Sequence, residues 1–410
     1  ISICDDLTSA VNESLWDYFT IPIQVAAQFD FNVLLMRCYN LIWNEWFRDQ
    51  NLQDSITVNK DDGPDSEGDY ELMRRGKRHD YFTSCLPWLQ KGDSIGLPLG
   101  TTAPIQSEGT GIPTLAASGG SAIALKQNSG SATVQWMSNA SATGSAVWSD
   151  PALEVDLSSA TAATVTELRQ AFQVQRLLER DARSGTRMVE IIKSHFGVSS
   201  PDARMQRPEY LGGGRTPIVI TPIARTDSSP GELGAMGVAR LEGHGFTKSY
   251  QEHSFTIGMV NVRADLTYQE GLDRHFSLQT RYDLYWPVFQ NLSEQAVLNK
   301  EIYVDATTVG SGATEDVFGY NEAWSHMRYK PSRITGKFRS NDANSLDAWH
   351  LGIEFGSQPT LDDTFIQDNP PVDRVIGVPT EPHFIYDSWI QYNHTRCMPT
   401  YSVPGMIDHF

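Results

Sequence analysis

The sequence contains little cysteine and no long hydrophobic run. Its four cysteines lie far apart without a CxxC pair, which excludes a dense disulfide framework and a zinc ribbon; they are Cys4, Cys38, Cys85 and Cys397. No apolar run reaches the roughly 18 residues of a membrane span, and no signal-peptide pattern is present. We therefore expect a protein of a reducing compartment with no membrane span.

Basic residues are also scarce. The chain of 410 residues carries 32 Lys plus Arg against 50 Asp plus Glu, a formal net charge of −18. So acidic a chain repels nucleic acid at long range, which excludes a free-standing DNA-binding protein. Any contact with phosphates must come from a local basic patch or from a separate basic partner.

Motifs that carry chemistry are missing as well. The sequence has neither HExxH nor GxSxG, and Cys85 has no partner that sequence can identify. His244 and His253 lie in loop-like segments without a carboxylate at ligand spacing, so we interpret them as structural or surface residues. Two carboxylates for glycoside hydrolysis need only meet in space, and that alternative stays open. We predict no catalytic, cofactor or metal site, and no enzyme.

The run "PEYLGGGRTP" (208–217) resembles a phosphate-binding loop but does not meet its requirements. Such a loop needs an earlier glycine, a preceding strand and a helix that begins at Ser or Thr. Here Pro217 follows Thr216 and stops a helix at that point. We predict instead a tight turn where another part of the backbone approaches closely.

Two segments have helical patterns. In residues 33–50 the apolar residues repeat at spacings of four, three and four, which predicts a buried or partner-packed helix face; the residues are Leu35, Tyr39, Ile42 and Trp46. Thr164 and Glu167 have capping-box spacing and begin a second helix that extends to about residue 196, with Gly185 as an interruption.

After residue 215 the pattern changes to strands. Runs rich in β-branched and aromatic residues are bounded by Gly, Pro, Asn or Asp; they are "TPIVIT" (216–221), "SFTIGMVNVRADLTY" (254–268), "TRYDLYWPVF" (280–289), "DAWHLGIEF" (347–355) and "HFIYDSWIQY" (383–392). Strands with few intervening helices favour a mainly β fold, an antiparallel sandwich or jelly roll with long loops.

Two stretches indicate where the chain meets its partners. From 101 to about 160 the composition shifts to Ser, Thr, Ala and Gly, which indicates an exposed insertion. "RRGKRH" (74–79) is the one dense basic cluster. Aromatic residues follow it, which favours phosphate contact, while a solvated loop paired with the preceding acidic stretch is the alternative. The tryptophans outside the insertion also suit extensive subunit interfaces.

Several long blocks closely resemble the major capsid protein of gokushoviruses, small single-stranded DNA phages of the Microviridae. The resemblance covers most of the chain outside roughly 101–160. The blocks are "YNLIWNEWFRDQNLQ" (39–53), "RHDYFTSCLPWLQKGDSIGLPLG" (78–100), "LLERDARSGTRMVEIIKSHFGVSSPDARMQRPEYLGGGRTPI" (177–218), "GHGFTKSYQEHSFTIGMVNVRADLTYQEGLDRHFS" (243–277) and "MPTYSVPGMIDHF" (398–410).

The resemblance implies a structural protein of the virion, assembled in the cytoplasm of the host bacterium. It implies an eight-stranded antiparallel jelly roll in a T=1 icosahedral homo-oligomeric shell around circular single-stranded DNA, accompanied by a small basic DNA-associated viral protein. Residues 1–100 and 158–410 then form the jelly-roll body. We expect an amino-terminal region to precede residue 1, because the family's chains carry one that supplies the first strands.

The resemblance also gives two sets of residues a role. Residues 101–157 take the place of a variable insertion that forms protrusions at the threefold axes and meets a host surface receptor; we expect Trp136, Met137 and Trp148 to contribute to that contact. Arg74, Arg75, Lys77 and Arg78 are the expected nucleic-acid contacts. The alternative from another class is a soluble carbohydrate-binding or carbohydrate-active jelly-roll protein, which would need a cleft with converging carboxylates and aromatic platforms.

Overall fold

A computed structural model describes residues 3–4, 12–23, 30–93, 95–96, 164–200, 207–224, 233–378 and 380–396, together with short strands between 105 and 155. The chain divides into two compact units, which are described separately. Unit 1 comprises Ile1–Cys85 and Tyr250–Phe410, and unit 2 comprises Leu86–Ser249.

The strands of the described residues are short. In chain order they are β1 (Ile3–Cys4), β2 (Phe31–Asn32), β3 (Ile105–Ser107), β4 (Thr114–Ala117), β5 (Ala122–Ala124), β6 (Lys126–Gln127), β7 (Val134–Gln135), β8 (Ala146–Asp150), β9 (Leu153–Val155), β10 (Val219–Ala224), β11 (Leu233–Val238), β12 (Thr267–Tyr268), β13 (Glu294–Leu298), β14 (Val317–Glu322) and β15 (Ser332–Arg333).

The α-helices are also few. They are α1 (Leu15–Tyr18), α2 (Leu34–Ile42), α3 (Val165–Ser184), α4 (Met188–Phe196), α5 (Asn299–Ile302), α6 (Ala306–Ser311), α7 (Ser325–Arg328) and α8 (Asp363–Ile366). A π-helical turn, Trp43–Phe47, continues α2, and 3₁₀ turns occur at Glu67–Asp69, Arg274–Ser277, Arg281–Asp283, Pro287–Phe289, Ala313–Glu315, Gly336–Phe338, Asp347–Trp349 and Val372–Arg374.

Unit 1 contains two apolar clusters. The larger is aromatic, with Phe82 in edge contact with Tyr268 and Phe318; its buried members are Tyr81, Phe82, Cys85, Tyr268, Val297, Ile302, Tyr303, Phe318, Leu361 and Phe365. β13 and β14 pair antiparallel beside it, with a register shift at Val297 and Leu298. The smaller cluster joins α1 to α2 and consists of Leu15, Trp16, Val33, Met36, Tyr39 and Tyr70.

A charged network supports the larger cluster. Glu301 is almost fully buried, and its carboxylate accepts hydrogen bonds from Arg274 Nη1 at 2.9 Å and from the Tyr81 hydroxyl at 2.7 Å. Burial and the neighbouring carboxylate raise the pKa of Tyr81 far above its usual range. A buried carboxylate is tolerable only when its lone pairs are satisfied, as these are.

The helix predicted for residues 33–50 is present, but its predicted buried face is wrong. Leu35 and Trp46 are exposed, while Arg37, Asn40 and Asn44 are buried. The reason is polar: Arg37 forms a two-point ion pair with Asp65, whose carboxyl pKa it lowers. Asn40 and Asn44 donate to backbone carbonyls of residues 56–69. The helix therefore fixes an acidic loop through buried hydrogen bonds rather than through an apolar stripe alone.

In unit 2 the predicted capping box is present at the start of α3. The Thr164 hydroxyl accepts from the Glu167 amide at 3.1 Å, and the Glu167 carboxylate accepts from the Thr164 amide at 2.7 Å. Gly185, at φ 95°, ends α3 before α4 begins. His195 on α4 lies 2.7 Å from the Asp181 carboxylate on α3 and ties the two helices together.

The other described strands of unit 2 form small antiparallel sheets. β10 and β11 pair along their whole length, β5, β4 and β8 form a three-stranded sheet in that order, and β3 pairs with β9 and β6 with β7. "TPIVIT" thus contributes to a strand, β10, as predicted.

Four other strand predictions are wrong in the described structure. Only Thr267–Tyr268 of residues 254–268 is a strand, 3₁₀ turns replace most of 280–289, and 347–355 and 383–392 carry no ladder. β-propensity describes side chains that suit a pleated, half-buried surface, and it forms a strand only where a partner supplies the ladder hydrogen bonds. The described content, modest in sheet and low in helix, does not conflict with a mainly β capsid fold.

Candidate nucleic-acid interface

The basic segment, residues 74–78 of unit 1, is held in place by backbone hydrogen bonds. Gly76 forms an antiparallel bridge with Gln367, with bonds from the Lys77 amide to the Ile366 carbonyl at 2.7 Å and from the Asp368 amide to the Arg75 carbonyl at 2.8 Å. The Gly76 amide also donates to the Phe47 carbonyl at the end of the π-helical turn. The segment is therefore a fixed element and not a loose loop.

The four predicted cations of this segment have different environments. Arg74 is exposed and donates to the Asn369 side chain at 2.6 Å. Arg75 is half-buried, with its guanidinium 5.3 Å from the centre of the Phe47 ring. Arg78 pairs with the exposed carboxylate of Asp265 at 3.0 Å.

Lys77 is directed into the protein. Its ammonium donates to the Phe365 carbonyl at 2.5 Å and lies 4.6 Å from the centre of the Phe365 ring. Burial lowers the pKa of Lys77, while Asp368 and Asp80 oppose that effect. Its charge supports the segment from within, and its three donors are not presented at the surface in the way those of Arg74 are.

A further arginine, which the sequence analysis did not single out, joins this group. Burial lowers the pKa of Arg75, and repulsion from Arg263 and Arg78 lowers it further. Burial raises the pKa of the Asp368 carboxyl against the attraction of the surrounding cations, Arg75, Lys77, Arg263 and Arg78. Arg263 is isolated among apolar residues in the sequence, so only the fold brings it here.

The other predicted contact residues are placed less fully. Trp136 and Met137 lie outside the described residues. Trp148 lies in β8, where its backbone pairs with Leu115 of β4.

The glycine run of 208–217 forms a closely packed turn, as predicted. A Cβ atom at Gly214 would lie 1.9 Å from the His244 ring, and one at Gly212 would lie 3.3 Å from the Gly245 carbonyl oxygen. The glycines admit a neighbouring segment of their own unit, so their packing role accounts for them.

Metal-binding and membrane-spanning features were also sought. Within the part of the chain that the structure describes, no group of three or more His, Cys, Asp or Glu residues could hold a metal ion. Among those same residues, no helix is both long and apolar enough to cross a membrane.

Comparison with known proteins identifies the family. The family model for "Capsid protein (F protein)" matches residues 2–406. This chain belongs to that phage capsid protein family. The predicted resemblance to gokushovirus capsid proteins is confirmed, and the capsid protein is a structural component of the virion.

Three relatives agree with the assignment. The capsid protein is 46% identical to capsid protein VP1 of Bdellovibrio phage phiMH2K over 97% of this chain and 77% of the relative. It is 40% identical to capsid protein VP1 of Chlamydia phage 1, over 96% and 77% of the two chains. For capsid protein VP1 of Spiroplasma virus 4 the identity is 33%, over 91% and 73%.

Proposed function

We propose that this capsid protein self-assembles into a T=1 icosahedral shell that encloses circular single-stranded DNA. The observation that carries the proposal is the large apolar surface: Ile385 is fully exposed, and Trp389 and Val288 are each 87% exposed. Monomeric proteins rarely leave large apolar patches in water. Symmetry-related copies would cover such surfaces by repeating the same interfaces.

The eight-stranded jelly roll belongs to the same proposal. Residues 254–266 and 383–392 are rich in β-branched and aromatic residues but have no ladder in the described chain. In the shell, these segments gain strand partners and complete two antiparallel sheets. Density for a closed shell would reveal those ladders directly.

Sedimentation of the full-length protein, with electron microscopy of the fast fraction, tests the assembly. We expect closed, uniform spherical particles. A protein that stays monomeric when its viral partner proteins are supplied would overturn the proposal. Glycan binding by such a monomer would favour the carbohydrate-binding alternative, which the family assignment makes the weaker one.

Within the shell, the basic segment is the proposed contact for DNA phosphates. Arg74, Arg75 and Arg78 are the contact residues, Arg263 adds charge beside them, and Lys77 supports the segment from within. Arg75 and Arg78 repel each other in a half-buried setting, and an anion between them would relieve that repulsion. We also propose that a small basic viral protein neutralises most of the genome, because the capsid protein itself has a net charge of −18.

Binding of an oligodeoxynucleotide at several salt concentrations tests the phosphate contact. Each lost contact to a single strand lowers the slope of log K against log salt by about 0.7, so Arg75→Gln with Arg78→Gln should lower it by about 1.4. The matched control is Lys337→Gln, an exposed cation elsewhere in unit 1. An unchanged slope in the double variant would remove the basic segment from the proposal.

A further inference from the structure

A cavity of about 340 Å³ lies in unit 1 directly beside the basic segment. Arg74 is one of its lining residues, so the cavity and the exposed guanidinium share a boundary. Ligand pockets in proteins span roughly 300–1,000 Å³, and this cavity is at the small end of that range. Its volume suits one planar ring system rather than an extended ligand.

The lining combines apolar and acidic groups. Trp43, Ile56 and Leu72 supply apolar surface. The indole of Trp43 is fixed, because its Nε1 donates to the Arg74 carbonyl at 3.2 Å. Asp54 and Asp363, both exposed, supply carboxylates. The ligand therefore has apolar faces and polar edges that donate hydrogen bonds.

The carboxylates also decide what cannot bind inside. A phosphate in the cavity would meet two negative charges, whereas a phosphate just outside it would meet Arg74 and Arg75. A nucleotide divides its charge in this way, since its base is neutral and its phosphate is anionic. Cytosine and adenine carry exocyclic amino donors for a carboxylate, while thymine presents a carbonyl acceptor at the equivalent edge.

We propose that this cavity binds one unstacked, amino-bearing base of the single-stranded DNA whose phosphates contact the basic segment. The inference rests on the proposed DNA contact and adds a base-binding site to it. Seating a base on an apolar surface strengthens binding whatever the surrounding sequence, and the acidic edge adds a preference for cytosine or adenine over thymine.

The test uses the full-length protein and three oligonucleotides of equal length: poly-dC, poly-dT and an abasic strand with the same phosphates. We expect poly-dC to bind roughly tenfold more tightly than the abasic strand, a typical effect of one stacked base, with poly-dT between them. Leu72→Trp should fill the cavity and bring all three to the abasic affinity. Leu72 is more than half exposed, so the protein should tolerate this change.

Two further variants separate the possible results. Asp54→Asn should reduce the preference for poly-dC over poly-dT and leave abasic binding equal or slightly stronger. Leu72→Ala, the matched control, should keep the base preference. Equal affinity for all three strands, with weakening by Arg75→Gln and Arg78→Gln, would overturn the base site and keep the phosphate contact.

The remaining outcomes are also decisive. If the basic-segment variants weaken no strand, the DNA contact fails and the base site fails with it. If Leu72→Trp blocks shell formation while the base preference persists, the cavity seats a neighbouring copy, and the base-binding inference is wrong.

Discussion

At the scale of single residues, Gly271 limits what the larger core can tolerate. A Cβ atom there would lie 2.0 Å from the Glu301 carbonyl oxygen and 2.8 Å from the Ile302 carbonyl carbon. Both neighbours are backbone atoms of α5, so no side chain can rotate away. We expect Gly271→Ala to destabilise unit 1 by about 1–3 kcal/mol or more, the cost of overpacking a tight site.

Chemical denaturation followed by tryptophan fluorescence measures that cost. Gly356→Ala is the control, because a Cβ at Gly356 has no neighbour within 4 Å. Equal unfolding midpoints for the two variants would contradict the close packing at Gly271.

His326 makes stability depend on pH. It is 4% exposed, and among the described residues neither ring nitrogen has a hydrogen-bond partner. Burial lowers its pKa to about 4, with Arg274 and His275 adding to the effect and Asp273 opposing it. The folded state thus resists protonation more than the unfolded state, whose histidine has an ordinary pKa of about 6.5.

The sign follows from these two pKa values. The stabilising effect is complete above pH 6.5 and is lost as the pH falls toward 4, by up to about 1.4 kcal/mol per pH unit. We expect His326→Phe to flatten unfolding free energy between pH 6.5 and 4, and the exposed control His253→Phe to leave the slope unchanged. Equal slopes for wild type and His326→Phe would refute this role.

At the scale of elements, α3 depends on its own cap. Within α3 only Ala182 is buried, so little packing supports the helix start. Thr164→Ala removes the hydroxyl that accepts from the Glu167 amide, at a cost of about 1 kcal/mol. We expect roughly fivefold faster hydrogen exchange in the first turn of α3. Thr164→Ser keeps the hydroxyl and should exchange like wild type; equally fast exchange in both variants would show that the cap contributes nothing.

The capping box could be read from sequence because its residues lie within four positions of each other. The buried face of α2 could not, because its polar residues are satisfied by a loop about 20 to 30 positions away, through pairs such as Arg37 with Asp65. The strand predictions failed for a related reason: composition indicates suitability for a sheet and does not supply the partner strand. Arg263 was missed because only the fold places it beside Arg75.

At the scale of the whole molecule, residues 101–157 are expected to face the host. They are poor in charge and rich in Ser, Thr, Ala and Gly, as suits an exposed and variable segment. Replacing Trp136, Met137 and Trp148 with alanine should leave particle yield unchanged and reduce adsorption to the host by at least tenfold. Plaque assays and sedimentation measure the two effects; failed particle assembly, or normal adsorption, would contradict the assignment.

The bridge between Gly76 and Gln367 has a consequence for sequence variation among related phages. A bridged segment directs successive side chains to opposite sides, so Arg75 and Lys77 share one side and Arg74 and Arg78 the other. Substitutions within residues 74–78 change one side chain at a time, whereas an inserted or deleted residue exchanges the two sides. Natural variants should therefore differ here by replacement and keep the length of the segment constant.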